Sequence, residues 1–292
     1  MDLDLSDLGL EISKPNASLL NASILFYGDV GCGKTTLAAS AAEIPELSPV
    51  LVVDLENSSA SLAQQYGDSP DLDVVQVRDW KKAEKLITHL CTTPHKYKTV
   101  IIDPINALGH FLQQHMRQLV EYKRKLTHLD AAGKLTPQQE RQLKQLASVK
   151  TQEATNNSLG EATTSLADYG MLGAKMTDVI YDLNSAPFLA IFVTHQNVEE
   201  NEAGRSLSLR PDAPGNMTKE RLAEKPHLVG LVRRRMTKDE DGKTSIGITV
   251  QFESSKVNGL PVKAKRRLTV PPIVENPTMS KLWDYINNGE GN

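Results

Sequence analysis

The sequence has little of what marks a secreted, membrane-spanning or strongly basic protein. Its 292 residues include two cysteines, Cys32 and Cys91, which excludes a scaffold of several disulfides and favours a reducing, intracellular setting. No apolar run approaches the roughly 18 residues of a membrane-spanning helix, and the first residues are acidic where a signal peptide is basic. We therefore expect a cytoplasmic protein with no membrane partner. The net charge of −3 excludes a globally basic nucleic-acid binder but permits a local basic face.

What the sequence does contain is a series of short, continuously apolar segments that alternate with helical segments. Such segments are typical of buried parallel strands, so they predict an α/β fold with a mainly parallel sheet flanked by helices. The predicted strands cover residues 23–27, 50–53, 74–77, 99–102 and 187–193. All but the third end in glycine or polar residues, and parallel sheets bind their ligands at the carboxyl ends of the strands.

The rest of the chain divides into an arm, an insertion and an extension. Apolar residues at helical spacing, broken at 131–133 and restarted by a capping box at Thr136, predict a helical hairpin inserted at about 105–155. The acidic residues 1–20 are predicted to form an arm that precedes one domain at 21–292. In the second half we predict a flexible link at 154–165, a helix at 166–184, and a long loop or partly disordered segment at 197–226. A β-rich extension is predicted at 226–275, with strands at 228–236 and 245–252 joined by a turn at 239–242. A closing helix is predicted around 282–286.

A glycine-rich turn follows the first predicted strand and satisfies the phosphate-loop pattern G-x-x-x-x-G-K-[ST]. In this pattern the backbone N–H groups cradle phosphates, the lysine reaches the β- and γ-phosphates, and the hydroxyl residue binds Mg²⁺. Lys34 and Thr35 hold the last two positions, so the sequence predicts a site for ATP and Mg²⁺. The predicted nucleotide-binding residues are Gly28, Asp29, Val30, Gly31, Cys32, Gly33, Lys34, Thr35 and Thr36.

Polar side chains at the ends of three other predicted strands complete this site. Asp103 ends a buried strand and is the expected second magnesium ligand, acting through the water shell of the ion. Glu56 is the candidate for activating the attacking water, with Asp54 in a supporting role. The residues expected to sense the γ-phosphate are Thr194, His195 and Gln196, of which Gln196 is also a catalytic candidate.

This order of motifs resembles the core of the RecA-type ATPases. Residues 51–56 are similar to the strand that carries the family's water-activating glutamate, and residues 100–108 are similar to its Walker B strand. Pro104 stands where the family usually has a small hydroxyl residue. Over residues 20–275 the chain more closely resembles small phage-encoded RecA-like ATPases that are associated with single-strand DNA annealing and recombination; the further matching segments are 167–170, 193–196 and 262–267.

The resemblance implies activity and partners that the residues alone do not give. It implies an Mg²⁺-dependent ATPase that assembles into rings or filaments, acts on single-stranded DNA and works with a single-strand DNA-binding protein, in a bacterial cytoplasm or in that of a phage-infected host. It also implies a basic residue that reaches the nucleotide of a neighbouring subunit, for which the candidates are Lys265, Arg266 and Arg267. Residues 110–155 carry eight Lys or Arg against four Asp or Glu, which would suit a phosphate backbone.

Three alternatives to a DNA-dependent ATPase follow from the same residues. ATP binding could act as a switch in an assembly or regulatory protein that has no dependence on DNA. A small-molecule kinase is disfavoured because no arginine-rich lid is recognisable and because Glu56 suits water activation better. A partition ATPase is disfavoured because Asp29 stands where that loop carries a lysine.

A zinc site is not expected either. His89, Cys91 and His95 lack the spacing and the fourth ligand of such a site.

Overall fold

The computed structural model describes residues 19–146, 166–201, 203–238 and 244–288. Its framework is a ten-stranded sheet. The strands are β1 (Ser23–Gly28), β2 (Val50–Asp54), β3 (Leu72–Gln76), β4 (Thr99–Asp103), β5 (Leu189–Glu200), β6 (Ser206–Pro211), β7 (Leu228–Lys238), β8 (Thr244–Gln251), β9 (Lys256–Val257), β10 (Leu260–Pro261), β11 (Lys265–Arg266) and β12 (Ile273–Glu275). Strands β9 and β10 form a separate small ribbon.

The main path of the sheet runs in the order β12-β8-β7-β1-β5-β4-β2-β3. Strands β7, β1, β5, β4, β2 and β3 are parallel, while β8, β12, β11 and β6 pair in antiparallel fashion at its margins. Every residue of β1, β2 and β4 is buried, which explains why their sequences are continuously apolar. The prediction of an α/β fold with a mainly parallel sheet is therefore confirmed.

Helices cover both faces of this sheet. They are α1 (Lys34–Ala39), α2 (Ala63–Tyr66), α3 (Trp80–Thr92), α4 (Ile105–Ala131), α5 (Pro137–Gln145), α6 (Leu166–Asn184), α7 (Asn216–Glu224) and α8 (Met279–Asn288). On one face α3, α4 and α6 pack against side chains such as Leu25 of β1. On the other face α1 and α8 pack against side chains such as Ile24 and Phe26. Because successive side chains of β1 point to opposite faces of the sheet, this one strand contributes to both hydrophobic cores.

The predicted helical hairpin is present, as α4 followed by α5. The Thr136 side chain accepts a hydrogen bond from the backbone of Gln139, whose side chain accepts one from the backbone of Thr136, so the predicted capping box forms. Helix α4 begins two residues after Asp103, and its first half, including Ile105 and Leu108, is buried against the sheet. The insertion is thus continuous with the core at its start and leaves it only in its second half.

The prediction of a long loop at 197–226 is wrong. Strand β5 continues to Glu200, turns back as β6 in an antiparallel ribbon, and leads into α7. The ribbon extends past the parallel strands, so many of its residues are partly or fully exposed and it lacks the continuous apolar run that marked the other strands. Gly204, Pro214 and Gly215 lie between these elements, Pro226 follows α7, and Pro211 is the last residue of β6.

Several predictions fall outside the described residues: the arm up to residue 18, the link at 154–165 and the turn at 239–242. Residues 19–21 form a short 3₁₀ helix. The closing helix is found as α8. Within the described ranges, no helix has both the length and the apolar character needed to cross a bilayer.

Candidate nucleotide-binding site

The glycine-rich turn lies at the carboxyl end of β1, between that strand and the start of α1. Gly28 leaves no room for a side chain, because a Cβ there would lie 2.2 Å from the carbonyl oxygen of Val232 on β7. Gly33 has φ of +97°, a left-handed conformation that glycine adopts without strain, and it precedes the first residue of α1. The loop therefore needs glycine at both positions, and it aims the N-terminus of α1 into the space above it.

Lys34 is folded back onto its own loop. Its Nζ donates hydrogen bonds to the carbonyl oxygens of Gly28 at 3.1 Å and Asp29 at 2.6 Å, and lies 3.7 Å from Sγ of Cys32. The Lys34 side chain is buried with no carboxylate partner among the described residues. Burial also raises the pKa of the Cys32 thiol, although the nearby Lys34 opposes this shift. The loop thus holds a cation without a counter-charge, which an anionic ligand could supply.

The two residues predicted to hold magnesium are in direct contact. The hydroxyl of Thr35, on α1, donates a 2.6 Å hydrogen bond to Oδ2 of Asp103, at the end of β4. Ser58 donates to the same oxygen at 3.1 Å. Burial raises the pKa of Asp103, and the hydrogen bonds from Thr35 and Ser58 only partly oppose this. A buried carboxylate beside hydroxyl oxygens is the hard-oxygen chemistry that Mg²⁺ prefers.

Asp54, at the end of β2, organises the loop that follows it. It is paired in register with Asp103 on the neighbouring strand and is fully buried. Its Oδ1 accepts hydrogen bonds from the backbone of Glu56 and Ser58, and its Oδ2 accepts from the backbone and hydroxyl of Ser59. Burial alone would raise the pKa of Asp54, but these hydrogen bonds outweigh it and lower the pKa. The supporting role expected for Asp54 therefore has a structural counterpart in this loop.

Glu56 lies at the rim of the site. Its carboxylate is partly exposed, and Oε2 lies 3.9 Å from Nε2 of His195 on β5. The opposite ring atom, Nδ1 of His195, is buried and has no hydrogen-bond partner among the described residues. The structure therefore brings Glu56 and His195 together across the mouth of the phosphate loop.

Strand alternation separates the three predicted sensor residues. His195 lines the cavity above the loop, as does Val193. The hydroxyl of Thr194 lies on the other face, buried, and donates to the carbonyl oxygen of Asp212 at 2.7 Å. Nε2 of Gln196 donates to Oδ1 of Asp29 at 2.7 Å, so Gln196 touches the phosphate loop without lining the cavity. Only His195 of the three faces the space that a nucleotide would fill.

The predicted finger residues are far from this chain's own site. Strand β11, with Lys265 and Arg266, pairs with the beginning of β7 at Val229 and Leu228, at the amino edge of the parallel sheet. Nζ of Lys265 donates to the carbonyl oxygen of Glu224, and burial lowers the pKa of Lys265 to about 8. Arg267 follows at the same edge, where its backbone N–H donates to the carbonyl oxygen of His227. A role for these residues could arise only at a neighbouring subunit, and it stays a prediction.

A cavity of about 450 Å³ opens above the phosphate loop. Its lining includes the predicted residues Val30, Gly31, Gly33, Lys34, Thr35, Thr36, Glu56, Asp103 and His195, and the further residues Ser58, Ser61, Pro104, Val193 and Arg234. Sequence reasoning missed Ser58 and Ser61 because serines in a polar loop carry no pattern. It also missed Arg234, the middle one of three successive arginines on a predicted strand, although alternation along that strand could have singled it out.

Residues 20–155 match the family model described as an AAA domain. This match covers less than half of the chain. No curated protein matches the chain. Among solved structures, the chain is similar to the crystal structure of the RadB recombinase, with 12% identity over 87% of this chain and 86% of that chain, and a TM-score of 0.43.

The arrangement can bind a nucleoside triphosphate with its magnesium ion. The loop offers backbone donors and the cation Lys34, Thr35 and Asp103 offer oxygen ligands, and Glu56 stands at the rim where a water could be held. Within the described residues no group of three or more His, Cys, Asp or Glu side chains could hold a metal alone. Thr35 and Asp103 therefore fit an ion that takes its remaining ligands from phosphates and water.

Proposed function

We propose that the protein is an Mg²⁺-dependent ATPase of the RecA-like class that acts on single-stranded DNA in recombination, annealing or replication. The observation that carries the proposal is the 2.6 Å contact between Thr35 of the phosphate loop and Asp103 of the buried strand β4, within one cavity. The sequence match to an AAA domain over residues 20–155 supports nucleotide binding and hydrolysis.

Each proposed role follows from where the side chain lies. Lys34 turns from its own loop carbonyls to the β- and γ-phosphates, which supply the missing counter-charge. Thr35 and Asp103 would hold the Mg²⁺ ion. Bound Mg²⁺ would neutralise charge on the β- and γ-phosphates. Glu56 orients a water at the rim, and His195, 3.9 Å away, contacts the γ-phosphate and responds to its loss.

A basic groove supports the proposed action on DNA. A cavity of about 540 Å³ lies between α3 and α4, and its lining includes the cations Arg78 and Lys81 beside the aromatic rings of Phe111 and Tyr122. Asp79 also lines it, but its carboxylate caps α3 and pairs with Lys82. Cations bind a phosphate backbone, and aromatic rings stack on unpaired bases. This combination supports single-stranded DNA over a duplex as the ligand of the groove.

Arg78 connects this groove to the loop after β2, which carries Glu56. Its guanidinium Nη1 donates to the carbonyl oxygen of Asp54 at 2.6 Å, and Nη2 lies 3.4 Å from Oδ1 of Asn57. Glu56 lies between these two anchor points. A phosphate that draws Arg78 into the groove would therefore shift the loop that carries Glu56, which gives DNA a route to stimulate hydrolysis.

The decisive experiment measures ATP hydrolysis with and without single-stranded DNA, at low and moderate salt. Lys34→Ala is the control for the nucleotide site, and Lys81→Glu tests the groove. Lys256→Glu is the matched control, because Lys256 is an exposed lysine on β9, outside the groove. We expect DNA to stimulate hydrolysis, salt to weaken the stimulation, Lys81→Glu to reduce it severalfold, and Lys34→Ala to abolish hydrolysis.

Other outcomes favour other functions. Lys34-dependent hydrolysis that ignores DNA would contradict the DNA role and favour a nucleotide-switched assembly or regulatory protein, recognisable by nucleotide-dependent oligomerisation. Phosphate transfer to an added nucleoside or nucleotide would favour a small-molecule kinase. Assembly into rings or filaments, with or without a single-strand DNA-binding protein, is part of the proposal and is measured by sedimentation with and without ATP.

A further inference from the structure

One arginine outside every nucleotide-binding motif lines the phosphate-loop cavity. Arg234 is on β7, and its side chain shares the cavity with Gly33 and Lys34. Its neighbours Arg233 and Arg235 line a separate cavity on the other face of the same strand, as alternation along a strand requires. The Arg234 guanidinium makes no ion pair with a carboxylate among the described residues.

The contacts of Ile248 show where Arg234 lies relative to the phosphate loop. The two residues are cross-strand partners of β7 and β8, so their side chains lie next to each other on one face. Ile248 packs on Gly33 so closely that a Cβ at that glycine would lie 2.7 Å from Cδ1 of Ile248. Arg234 is thereby held beside the start of α1, where the loop turns into the helix.

The magnesium ligands lie on the opposite side of this loop. Strand β1 carries the loop and is flanked by β7 on one side and by β5 on the other, with β4 beyond β5. Asp103 ends β4 and contacts Thr35, so the β- and γ-phosphates with their ion belong on the β5 side. The cavity continues past Gly33 towards β7, and there the ligand must place its α-phosphate and nucleoside.

We propose that Arg234 binds the α-phosphate and nucleoside end of the nucleotide, and not the γ-phosphate. Its positive charge pairs with the α-phosphate. This assignment rests on the proposed function, since it assumes that the cavity binds a nucleotide. It gives the residue no part in hydrolysis itself, because ADP and ATP share the end that Arg234 contacts.

The test compares the affinities of ADP and a non-hydrolysable ATP analogue by calorimetry in the presence of Mg²⁺. We expect Arg234→Ala to weaken both ligands by the same factor, about tenfold or more, and Arg234→Lys to restore part of the loss. Arg235→Ala is the matched control, because it removes the same charge from the same strand on the other face, and it should leave both affinities unchanged. Circular dichroism and thermal melting verify that each variant folds.

Each other result identifies what failed. Loss of affinity for the ATP analogue with unchanged ADP binding would overturn the proposal and place Arg234 at the γ-phosphate. Unchanged affinity for both ligands in folded Arg234→Ala would overturn any contact with the nucleotide. If the wild-type protein binds neither ligand, or Lys34→Ala binds both normally, the nucleotide site itself is wrong and the assignment falls with it.

Discussion

Two buried carboxylates at neighbouring strand ends are paired in register, and yet their pKa values are shifted in opposite directions. Asp54 ends β2 and has a lowered pKa, while Asp103 ends β4 and has a raised pKa. Burial acts to raise the pKa of both groups; hydrogen bonds outweigh it at Asp54, but at Asp103 they do not. Asp54 accepts four, three of them from backbone N–H groups, whereas Asp103 accepts two from hydroxyls. Asp54 is satisfied by the fold, and Asp103 is left in need of a further positive partner.

This comparison separates a structural carboxylate from a functional one. A carboxylate that the native hydrogen bonds satisfy contributes to stability, because unfolding replaces those bonds with water. A buried carboxylate that is only partly satisfied costs stability and is retained where a ligand completes it. On this basis Asp103 should matter for hydrolysis and Asp54 for folding, and substitutions at the two positions should have opposite consequences.

The largest expected effect is that of Asp103→Asn on hydrolysis. The variant should lose ATP hydrolysis by about 100-fold or more, because it removes the charge that holds the metal ion beside the phosphates. Without ligand it should also be more stable than the wild type, because the charged form of this buried group is disfavoured in the fold. Steady-state hydrolysis and urea unfolding in EDTA measure the two properties. A variant that hydrolyses ATP normally would exclude Asp103 from the metal site.

The next effect is the loss of stability in Asp54→Ala. Three backbone donors and the Ser59 hydroxyl would lose their acceptor in a buried position, which should cost about 3 kcal/mol of unfolding free energy. Urea unfolding checks this, with the exposed Asp68→Asn as a control that should change stability by less than about 0.5 kcal/mol. Stability within that margin for Asp54→Ala would show that Asp54 does not hold the loop.

The smallest effect is a difference in how the two positions respond to pH. The stabilisation from Asp54 is present above its unfolded pKa of about 3.9 and is lost as the pH falls through its lower folded value. The cost of Asp103 is present above its raised folded pKa and fades as the pH falls through that value. Asp54→Asn should therefore be less stable than the wild type at neutral pH, and Asp103→Asn more stable.

These two differences from the wild type should both shrink in acid, and that of Asp103→Asn should begin to shrink at the higher pH. Unfolding free energies measured without Mg²⁺ between neutral pH and about pH 2.5 provide the check. Differences that stay constant over this range would show that the two groups do not titrate differently in the folded and unfolded states.

The region that the sequence predicted best is the buried parallel half of the sheet. Short apolar runs such as those of β1, β2 and β4 indicate buried parallel strands, because a strand that is covered on both faces has apolar side chains pointing in both directions. The ribbon of β5 and β6 was missed because it leaves the sheet and its pattern resembles that of a loop. Helix α4 was predicted as an insertion, yet half of it belongs to the core, since its apolar spacing does not show what it packs against.

For the candidate site, the local motif was readable and the long-range partners were not. Pattern and chemistry pointed to Lys34, Thr35 and Asp103, and the fold brings all three to one cavity. Alternation on β5 turned Thr194 away and left His195 facing the cavity, and no local pattern fixed the face on which each would lie. Ser58 and Arg234 reach the cavity only because the loop after β2 and the middle of β7 lie beside the phosphate loop.

The sequence by itself determined the phosphate loop, because glycines, a lysine and a hydroxyl residue within eight positions act through local backbone geometry. It also determined the class of the sheet, through strands that are apolar on both faces. The tertiary structure alone decided which distant side chains complete the site. Which side chains complete the site depends on the order of the strands and on the face to which each residue points. Both are set by packing between segments far apart in the chain, so no local sequence pattern can specify them.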